Sequence, residues 1–177
     1  MFKQVENELE TELFNNIWTT VWKEKGYELE YSANPLARFL VMTNEGRSIG
    51  TAEINPFSID SSPIMRIAEL HPEVIAAGKA GLVCEIDKIA LLPNYRGRYI
   101  TDLLSSLIYF VSHHRYQYFV SLLEPIFSRA LRISYHVPME QIGPKTYYKG
   151  DDVIPVLFDS EQIINQLSDF NWLKMPG

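Results

Sequence analysis

Glu85-Ile-Asp-Lys-Ile-Ala-Leu-Leu-Pro-Asn-Tyr-Arg-Gly-Arg98 is the stretch that decides the fold of this chain. Its apolar part is typical of a buried strand, and Pro93 ends that strand. The basic loop Arg96–Arg98 then leads into an amphipathic segment that predicts a helix from Thr101 to His114. A helix N-terminus presents unpaired backbone N–H groups and the positive end of a dipole, so this unit predicts an anion site.

The remaining patterns predict a mixed order of helices and strands around this unit. Helices are predicted at residues 8–25, about 72–77, 101–114, 125–134 and from about 160; strands are predicted at 38–42, 48–54, 82–92, 116–123, near 147 and at 153–158. This order is that of an α/β fold, in which a mixed sheet is flanked by helices and a strand–helix–strand unit lies in the middle. The length predicts one domain over residues 1–177.

Composition excludes several classes of protein. The net charge of −6 argues against a nucleic-acid binder, since phosphate neutralisation needs a basic surface. Cys84 is the only cysteine, so no internal disulfide is expected, and the His, Asp and Glu residues show no metal-ligand spacing. No apolar run is long enough to span a membrane, and the acidic N-terminus does not resemble a signal peptide. We therefore expect a cytoplasmic protein.

The order of segments resembles the GNAT acyltransferase fold. In that fold, a loop after the central strand holds the pyrophosphate of coenzyme A with its backbone amides, and the usual pattern is Arg/Gln-x-x-Gly-x-Gly/Ala. Arg96 matches the first position, whereas Tyr99 and Thr101 stand where the two glycines are usual. The resemblance implies an acyl-thioester such as acetyl-CoA or a longer acyl-CoA as co-substrate.

The chain is similar, within that superfamily, to the acyl-homoserine-lactone synthases and the long-chain N-acyl amino acid synthases. Six segments in the family's order carry the similarity: Val21–Tyr27, Gly50–Pro56, Glu85–Lys88, Phe127–Arg132, Gln141–Pro144 and Gly150–Ile154. Glu53 stands where arginine is common, and Asp87-Lys88 replaces the usual Ser-Arg. The resemblance therefore implies N-acyl transfer to a small-molecule amine, without implying homoserine-lactone synthesis.

Glu85 is the first candidate for catalysis. It lies in an apolar strand, where an unpaired charge is costly, and a carboxylate can remove a proton from an amine. The alternative is a structural salt bridge with Lys88 or Arg66. Strand alternation places Asp87 on the same face as Glu85, where it either binds an amine or pairs with a neighbouring arginine. The same alternation directs Lys88 to the other face, as a solvated or helix-covering side chain.

Three further residues have weaker assignments. Ser121, on the strand after the helix, is positioned to hydrogen-bond a substrate. Tyr135 is a substitute for the tyrosine that protonates the leaving thiolate in this fold, because Leu131 occupies that tyrosine's usual position. Cys84 faces away from Glu85 and is interpreted as a small core residue rather than a nucleophile.

The thioester side of the predicted site consists of the strand end and the loop. The candidate binding residues are Ile89, Leu91, Arg96, Gly97, Arg98, Tyr99, Ile100 and Thr101. Acyl carrier protein is an alternative donor, and Arg96 and Arg98 would then have to form its docking patch. The sequence leaves the oligomeric state open, and a homodimer is one possibility. The competing hypothesis is a non-catalytic module that binds an acyl-thioester or a protein partner, as the substitutions at Tyr99 and Thr101 suggest.

Overall fold

The structure is a computed structural model and describes residues 1–176. Its strands are β1 (Phe2–Gln4), β2 (Ala37–Met42), β3 (Ser48–Pro56), β4 (Val83–Leu91), β5 (Tyr118–Leu123), β6 (Glu140–Gln141), β7 (Thr146–Tyr148) and β8 (Asp151–Asp159). Its helices are α1 (Glu8–Lys25), α2 (Pro72–Lys79), α3 (Ile100–His113), α4 (Pro125–Ile133) and α5 (Ser160–Asn165), with short 3-10 turns at Pro63–Arg66, Pro93–Tyr95 and Leu167–Asp169. The predicted elements are all present; β1 and β6 were not predicted.

The strands form a mixed sheet of order β1-β2-β3-β4-β5-β8-β6, with β7 also paired to β8. All pairs are antiparallel except β4 with β5. That parallel pair requires a crossover, and α3 supplies it, as the strand–helix–strand pattern of the sequence predicts. None of the helices in residues 1–176 is long and apolar enough to cross a membrane.

Helices cover both faces of the sheet. The buried face of α1 packs with Leu40 and Ala90 in one apolar cluster, whereas α3 packs on the opposite face in a larger cluster. Asn7 caps α1 by accepting a hydrogen bond from the Glu10 N–H at 2.9 Å, and Gly26 ends it with φ of 79°. These caps fix the end of α1, whose last turns lie beside the site described below.

Gly143 is a point of close backbone approach. A Cβ atom at this position would lie 2.2 Å from the Ile67 carbonyl oxygen. We expect Gly143→Ala to lower the free energy of unfolding by about 1–3 kcal/mol, because backbone on both sides has to shift. Gly78→Ala is the control: its Cβ would meet side-chain atoms of Ile59 at 2.9 Å and of Phe57 at 3.4 Å instead of backbone, and alanine favours a helix. Urea denaturation of both variants measures the difference, and equal stabilities would contradict this account.

Candidate active site

A cleft opens where β4 and β5 separate. The two strands pair only between Val83–Ile86 and Tyr118–Ser121, although β4 continues to Leu91 and β5 to Leu123. The two strands therefore splay beyond Ile86 and Ser121. Beyond the last pair, the two diverging strands leave room for a ligand inside the sheet.

The cleft leads into a cavity of about 660 Å³. Five parts of the fold form most of its wall: β4 from Glu85 to Leu91, β5 and its end from Ser121 to Glu124, Ile126, Phe127 and Ala130 of α4, Val21, Trp22 and Lys25 at the end of α1, and Arg96, Ile100 and Leu103 near the start of α3. Loops and the ends of other strands complete the wall with Tyr27, Glu30–Ser32, Asn55, Pro63, Ile64, Tyr148, Lys149 and Val153. The cavity therefore extends from the anion loop to Glu85. A smaller apolar void of about 40 Å³ adjoins it between β4, α3 and α4.

A β-bulge lies in the cavity wall. Lys88 and Ile89 of β4 together oppose one residue of β3, Ala52, and Lys88 has φ of 48°. Thr51 supports the bulge, since its hydroxyl donates a hydrogen bond to the Lys88 carbonyl at 2.8 Å. A bulge adds one residue to a strand and so reverses the alternation of its side chains.

That reversal makes the predicted orientation of Lys88 wrong. Cys84 and Ile86 before the bulge belong to the α3-side core, and so do Ile89 and Leu91 after it. Lys88 therefore joins the face of Glu85 instead of the opposite one. Its side chain is 1% exposed, so it is not solvated, but it does lie against α1 through the Trp18 ring.

Lys88 is held in a buried polar cluster around Glu53. Its Nζ donates to Glu53 at 2.9 Å and to Asp87 at 3.2 Å, and it lies 5.1 Å from the centre of the Trp18 ring. Glu53 also accepts hydrogen bonds from Arg38 Nε at 2.8 Å, Asn55 Nδ2 at 2.9 Å and the Ser32 hydroxyl. Burial raises the pKa of Glu53, but the hydrogen bonds from Lys88, Ser32 and Arg38 outweigh it and leave the pKa lowered. The carboxylate is thus ionised and compensated.

Glu85 differs from the other carboxylates of the cavity wall. It accepts a hydrogen bond from the Ser62 hydroxyl, and within residues 1–176 no cationic group lies within 4.0 Å of it. The salt bridge with Lys88 or Arg66, the alternative from the sequence, is therefore not formed. Burial raises the pKa of Glu85, and the negative charges of Asp87 and Glu30 raise it further. The Ser62 hydrogen bond and, more weakly, the charge of Lys88 partly oppose them.

Ser62→Ala tests how Glu85 is held. Removal of a hydrogen bond to the carboxylate is expected to raise the pKa of Glu85 further, since that bond favours the charged form. Titration of the Glu85 carboxyl carbon by NMR measures the change. Ser58→Ala, at an exposed serine, is the control. An unchanged or lowered pKa in Ser62→Ala would contradict the arrangement.

The loop before α3 presents unused hydrogen-bond donors. Among residues 1–176, the backbone N–H groups of Gly97, Tyr99, Ile100, Thr101 and Asp102 have no hydrogen-bond acceptor. Gly97 has φ of 83°, a conformation that favours glycine. Its missing side chain leaves open space, because an added Cβ would have no neighbour within 4 Å. The loop can therefore offer several amides to an anion.

The side chains at the two glycine positions leave the cavity open. The Tyr99 ring packs against Tyr95, with centroids 5.8 Å apart, and neither Tyr99 nor Thr101 lines the cavity. The Asp102 carboxylate, which could repel a phosphate, is bonded to Lys174 Nζ at 2.8 Å and to the α-amino group of Met1 at 2.7 Å. Burial raises the pKa of Asp102, but these cations keep it below its ordinary value.

The other residues singled out from the sequence are divided by the structure. Ile89, Leu91, Arg96, Ile100 and Ser121 line the cavity with Glu85, whereas Gly97, Arg98, Tyr99, Thr101 and Tyr135 do not. The Ser121 hydroxyl is buried and donates to the Ile86 carbonyl at 2.8 Å, which ties β5 to β4 at the last paired position.

Tyr135 and Cys84 lie in the core rather than in the cavity. The Tyr135 ring packs edge-on against Trp172, with centroids 5.9 Å apart. Cys84 is fully buried, and burial raises the pKa of its thiol to about 12. Its interpretation as a core residue is confirmed.

Four residues of the site were missed from the sequence: Glu30, Ser62, Tyr148 and Lys149. Glu30 and Ser62 lie outside helices and strands, and the other two lie on the short β7 and its turn, so no periodicity marks them. Lys149 binds Glu30 by an ion pair across the cavity wall. Only the tertiary fold brings these segments together.

The fold of this chain is shared with proteins of known structure. No protein-family model and no curated protein sequence matches this chain. Solved structures do match: FeeM, an N-acyl amino acid synthase from uncultured soil microbes, superimposes with a TM-score of 0.73 at 15% identity, over 96% of this chain and 97% of FeeM.

Two acyl-homoserine-lactone synthases are also similar. LasI gives a TM-score of 0.64 at 12% identity, over 100% of this chain and 96% of LasI. BjaI, a CoA-dependent synthase solved with SAM and isopentyl-CoA, gives 0.59 at 13% identity, over 93% of this chain and 80% of BjaI. The predicted GNAT-like fold and the resemblance to this branch are confirmed.

Proposed function

We propose that this protein is an N-acyltransferase that moves an acyl group from an acyl-thioester, carried by coenzyme A or acyl carrier protein, to the nitrogen of a small amine. The single observation that carries the proposal is the cavity that joins the unbonded loop amides to Glu85, the carboxylate of its wall with no cationic partner. An acyltransferase needs both an anion site and a base, because it must hold a large anionic carrier and deprotonate an amine. The similarity to FeeM and BjaI supports the same reaction class.

The donor occupies the loop and the cleft in this proposal. The unbonded amides of Gly97 and of Tyr99 to Asp102 hold the pyrophosphate of coenzyme A. Arg96 adds its charge by giving up its half-exposed pair with Glu24, and the pantetheine arm enters between β4 and β5. The adjoining void is lined by apolar side chains of both strands, α3 and α4, and accepts part of an acyl chain. This void supports a chain longer than acetyl.

Glu85 acts on the acceptor. The amine arrives as an ammonium, gives a proton to Glu85, and its free electron pair attacks the thioester carbonyl carbon. A C–N bond forms and the C–S bond breaks; the sulfur leaves with the bonding electrons and takes up the second proton from the nitrogen. The raised pKa of Glu85 suits this role because a stronger base accepts the ammonium proton more readily.

The proposed donor site is tested by thermal unfolding with acetyl-, octanoyl- and palmitoyl-CoA. A ligand that binds only the folded state stabilises it by about 2.7 kcal/mol at 100 times its Kd, which is roughly 5–10 °C in Tm for a chain of this length. We expect a rise for octanoyl-CoA that exceeds the rise for acetyl-CoA. No rise with any of the three would exclude coenzyme A as the carrier.

Gly97→Val tests whether the rise in Tm with octanoyl-CoA comes from binding at the loop before α3. Gly46→Val is its matched control, because Gly46 has φ of 84° and an equally open surrounding but lies in the β2–β3 turn. Both variants are expected to lose similar intrinsic stability, and only Gly97→Val is expected to lose the rise with octanoyl-CoA. Loss of the rise in both variants would contradict the proposed phosphate site. Binding without turnover would instead favour the non-catalytic hypothesis.

A further inference from the structure

The charged side chains that line the cavity are almost completely paired. Each cation has a carboxylate partner: Lys25 with Glu124, Lys88 with Glu53 and Asp87, Arg96 with Glu24, and Lys149 with Glu30. Among the lining carboxylates, Glu30, Asp87 and Glu124 are used in these pairs, and Glu85 is left over. The one uncompensated charge of the described cavity wall is therefore negative.

The surroundings of Glu85 offer no anchor for an anion. Its closest polar partner is the Ser62 hydroxyl, and Asp87 and Glu30 are the carboxylates whose charges act on it. Lys88 and Lys149 lie in the same wall, but each already binds a carboxylate of this chain. A second anion could bind here only by breaking one of those pairs.

We infer that the acceptor is a primary amine that carries no carboxylate group, rather than an amino acid. The inference rests on the proposed function and names the class of its acceptor. The ammonium of such an amine complements Glu85, whereas the carboxylate of an amino acid would enter a wall whose cations are already bound. Removal of an unpaired carboxylate from water is unfavourable, so an amino acid binds poorly.

The neutral part of the acceptor is apolar. The wall that contains Glu85 also includes the rings of Tyr31 and Tyr148 and the side chains of Pro63 and Ile64. These groups accept an aryl or alkyl chain by burial of apolar surface. Phenethylamine is therefore a suitable probe, and phenylalanine is the same molecule with a carboxylate added.

The test is release of coenzyme A from octanoyl-CoA with phenethylamine, phenylalanine or phenylalaninol as acceptor. Phenylalaninol is the control for size, because it has a neutral hydroxymethyl group in place of the carboxylate. We expect kcat/KM for phenethylamine and phenylalaninol to exceed that for phenylalanine by at least about tenfold, because only phenylalanine brings an unpaired negative charge into the cavity. Equal or better use of phenylalanine would overturn the inference.

Failure of the inference and failure of the proposed function give different results. If no acceptor is acylated although octanoyl-CoA raises the Tm, the inference fails, the donor site stands and the non-catalytic hypothesis is favoured. If no acceptor is acylated and no thioester raises the Tm, coenzyme A is not the donor, and the same acceptors are then tested with octanoyl acyl carrier protein. Absence of transfer from that donor too overturns both the proposed function and the inference.

Glu30→Gln tests the inference by an expected improvement in the use of phenylalanine. It frees Lys149 from its carboxylate partner, so the freed ammonium can pair with the carboxylate of phenylalanine. We expect the preference for phenethylamine over phenylalanine to narrow by about tenfold or more, through a lower KM for phenylalanine. Glu28→Gln, at an exposed neighbouring glutamate with no ion pair among the described residues, is the matched control. An unchanged preference in Glu30→Gln contradicts the inference.

Discussion

Glu85→Gln is expected to lower kcat for acyl transfer by about 10²–10⁴-fold, the usual contribution of a positioned general base. Glutamine keeps the shape of the side chain and can still accept the hydrogen bond from Ser62. The fold should therefore be retained, while the group that takes the ammonium proton is lost. Steady-state release of coenzyme A from octanoyl-CoA, with an amine in excess, measures the effect.

The pH dependence separates a base from a structural residue. A base works in its ionised form, so wild-type kcat should rise with pH through the raised pKa of Glu85, and Glu85→Gln should lack that rise. The stability of the fold depends on pH in the opposite direction to kcat. Because its pKa is raised, Glu85 binds more protons in the folded state than in the unfolded state, so its contribution to the free energy of unfolding falls as the pH rises above 4.5, the ordinary pKa of the group.

Glu12→Gln is the control for both measurements. Glu12 is exposed on α1, does not line the cavity and makes no ion pair among the described residues. Its substitution should change neither kcat nor the pH profile. Turnover of Glu85→Gln at the rate of Glu12→Gln, with the pH profile intact, would show that Glu85 is not the base.

Lys88→Met is expected to lower the free energy of unfolding by about 3 kcal/mol. The substitution removes one of two cationic partners of a carboxylate that is 0% exposed, and loss of one partner of a buried ion pair costs about 3–5 kcal/mol. Arg38 remains bonded to Glu53, which places the expected cost at the lower end. Urea denaturation at neutral pH measures it.

A matched substitution and a double variant test the cause. Lys79→Met removes an exposed lysine and should change stability by no more than about 0.5 kcal/mol. The double variant Glu53→Gln with Lys88→Met removes both partners of the buried pair, so its loss of stability should be smaller than the sum of the two single losses. If Lys88→Met costs no more than Lys79→Met, the buried cluster does not hold the bulge in place.

The sequence predicted the strand–loop–helix unit well because its signals are local. An apolar run, Pro93 and an amphipathic helix follow one another directly, and the anion loop is built from their backbone. Strands β1 and β6 were missed because two or three residues are too few to show a period. Such strands form only because a longer partner already exists.

The error at Lys88 has a definite physical origin. Strict alternation assigns Asp87 and Lys88 to opposite faces, but the bulge inserts one residue and brings both to the same face. Nothing in the sequence around Lys88 marks a positive φ, since lysine rarely adopts one. The complementary partner, Glu53, lies 35 residues earlier, and only the register of β3 against β4 joins them.

The candidate site was predicted only in part for a related reason. Glu85 could be found because a carboxylate in an apolar strand is unusual, and Arg96 because it precedes a helix. Ser62, Glu30 and Lys149 come from segments without periodicity, and their roles depend on which side chains they meet. Which carboxylate remains unpaired is a property of the folded cavity.

The central claim is acyl transfer to nitrogen, and the most direct test is the identity of the product. Purified protein is incubated with octanoyl-CoA or octanoyl acyl carrier protein and with phenethylamine, and the mixture is analysed by mass spectrometry. The account predicts N-octanoyl phenethylamine and free carrier thiol in equal amounts, with formation lost in Glu85→Gln and kept in Glu12→Gln. Absence of any octanoyl amide from both donors, including when phenylalanine and phenylalaninol replace phenethylamine, would contradict it.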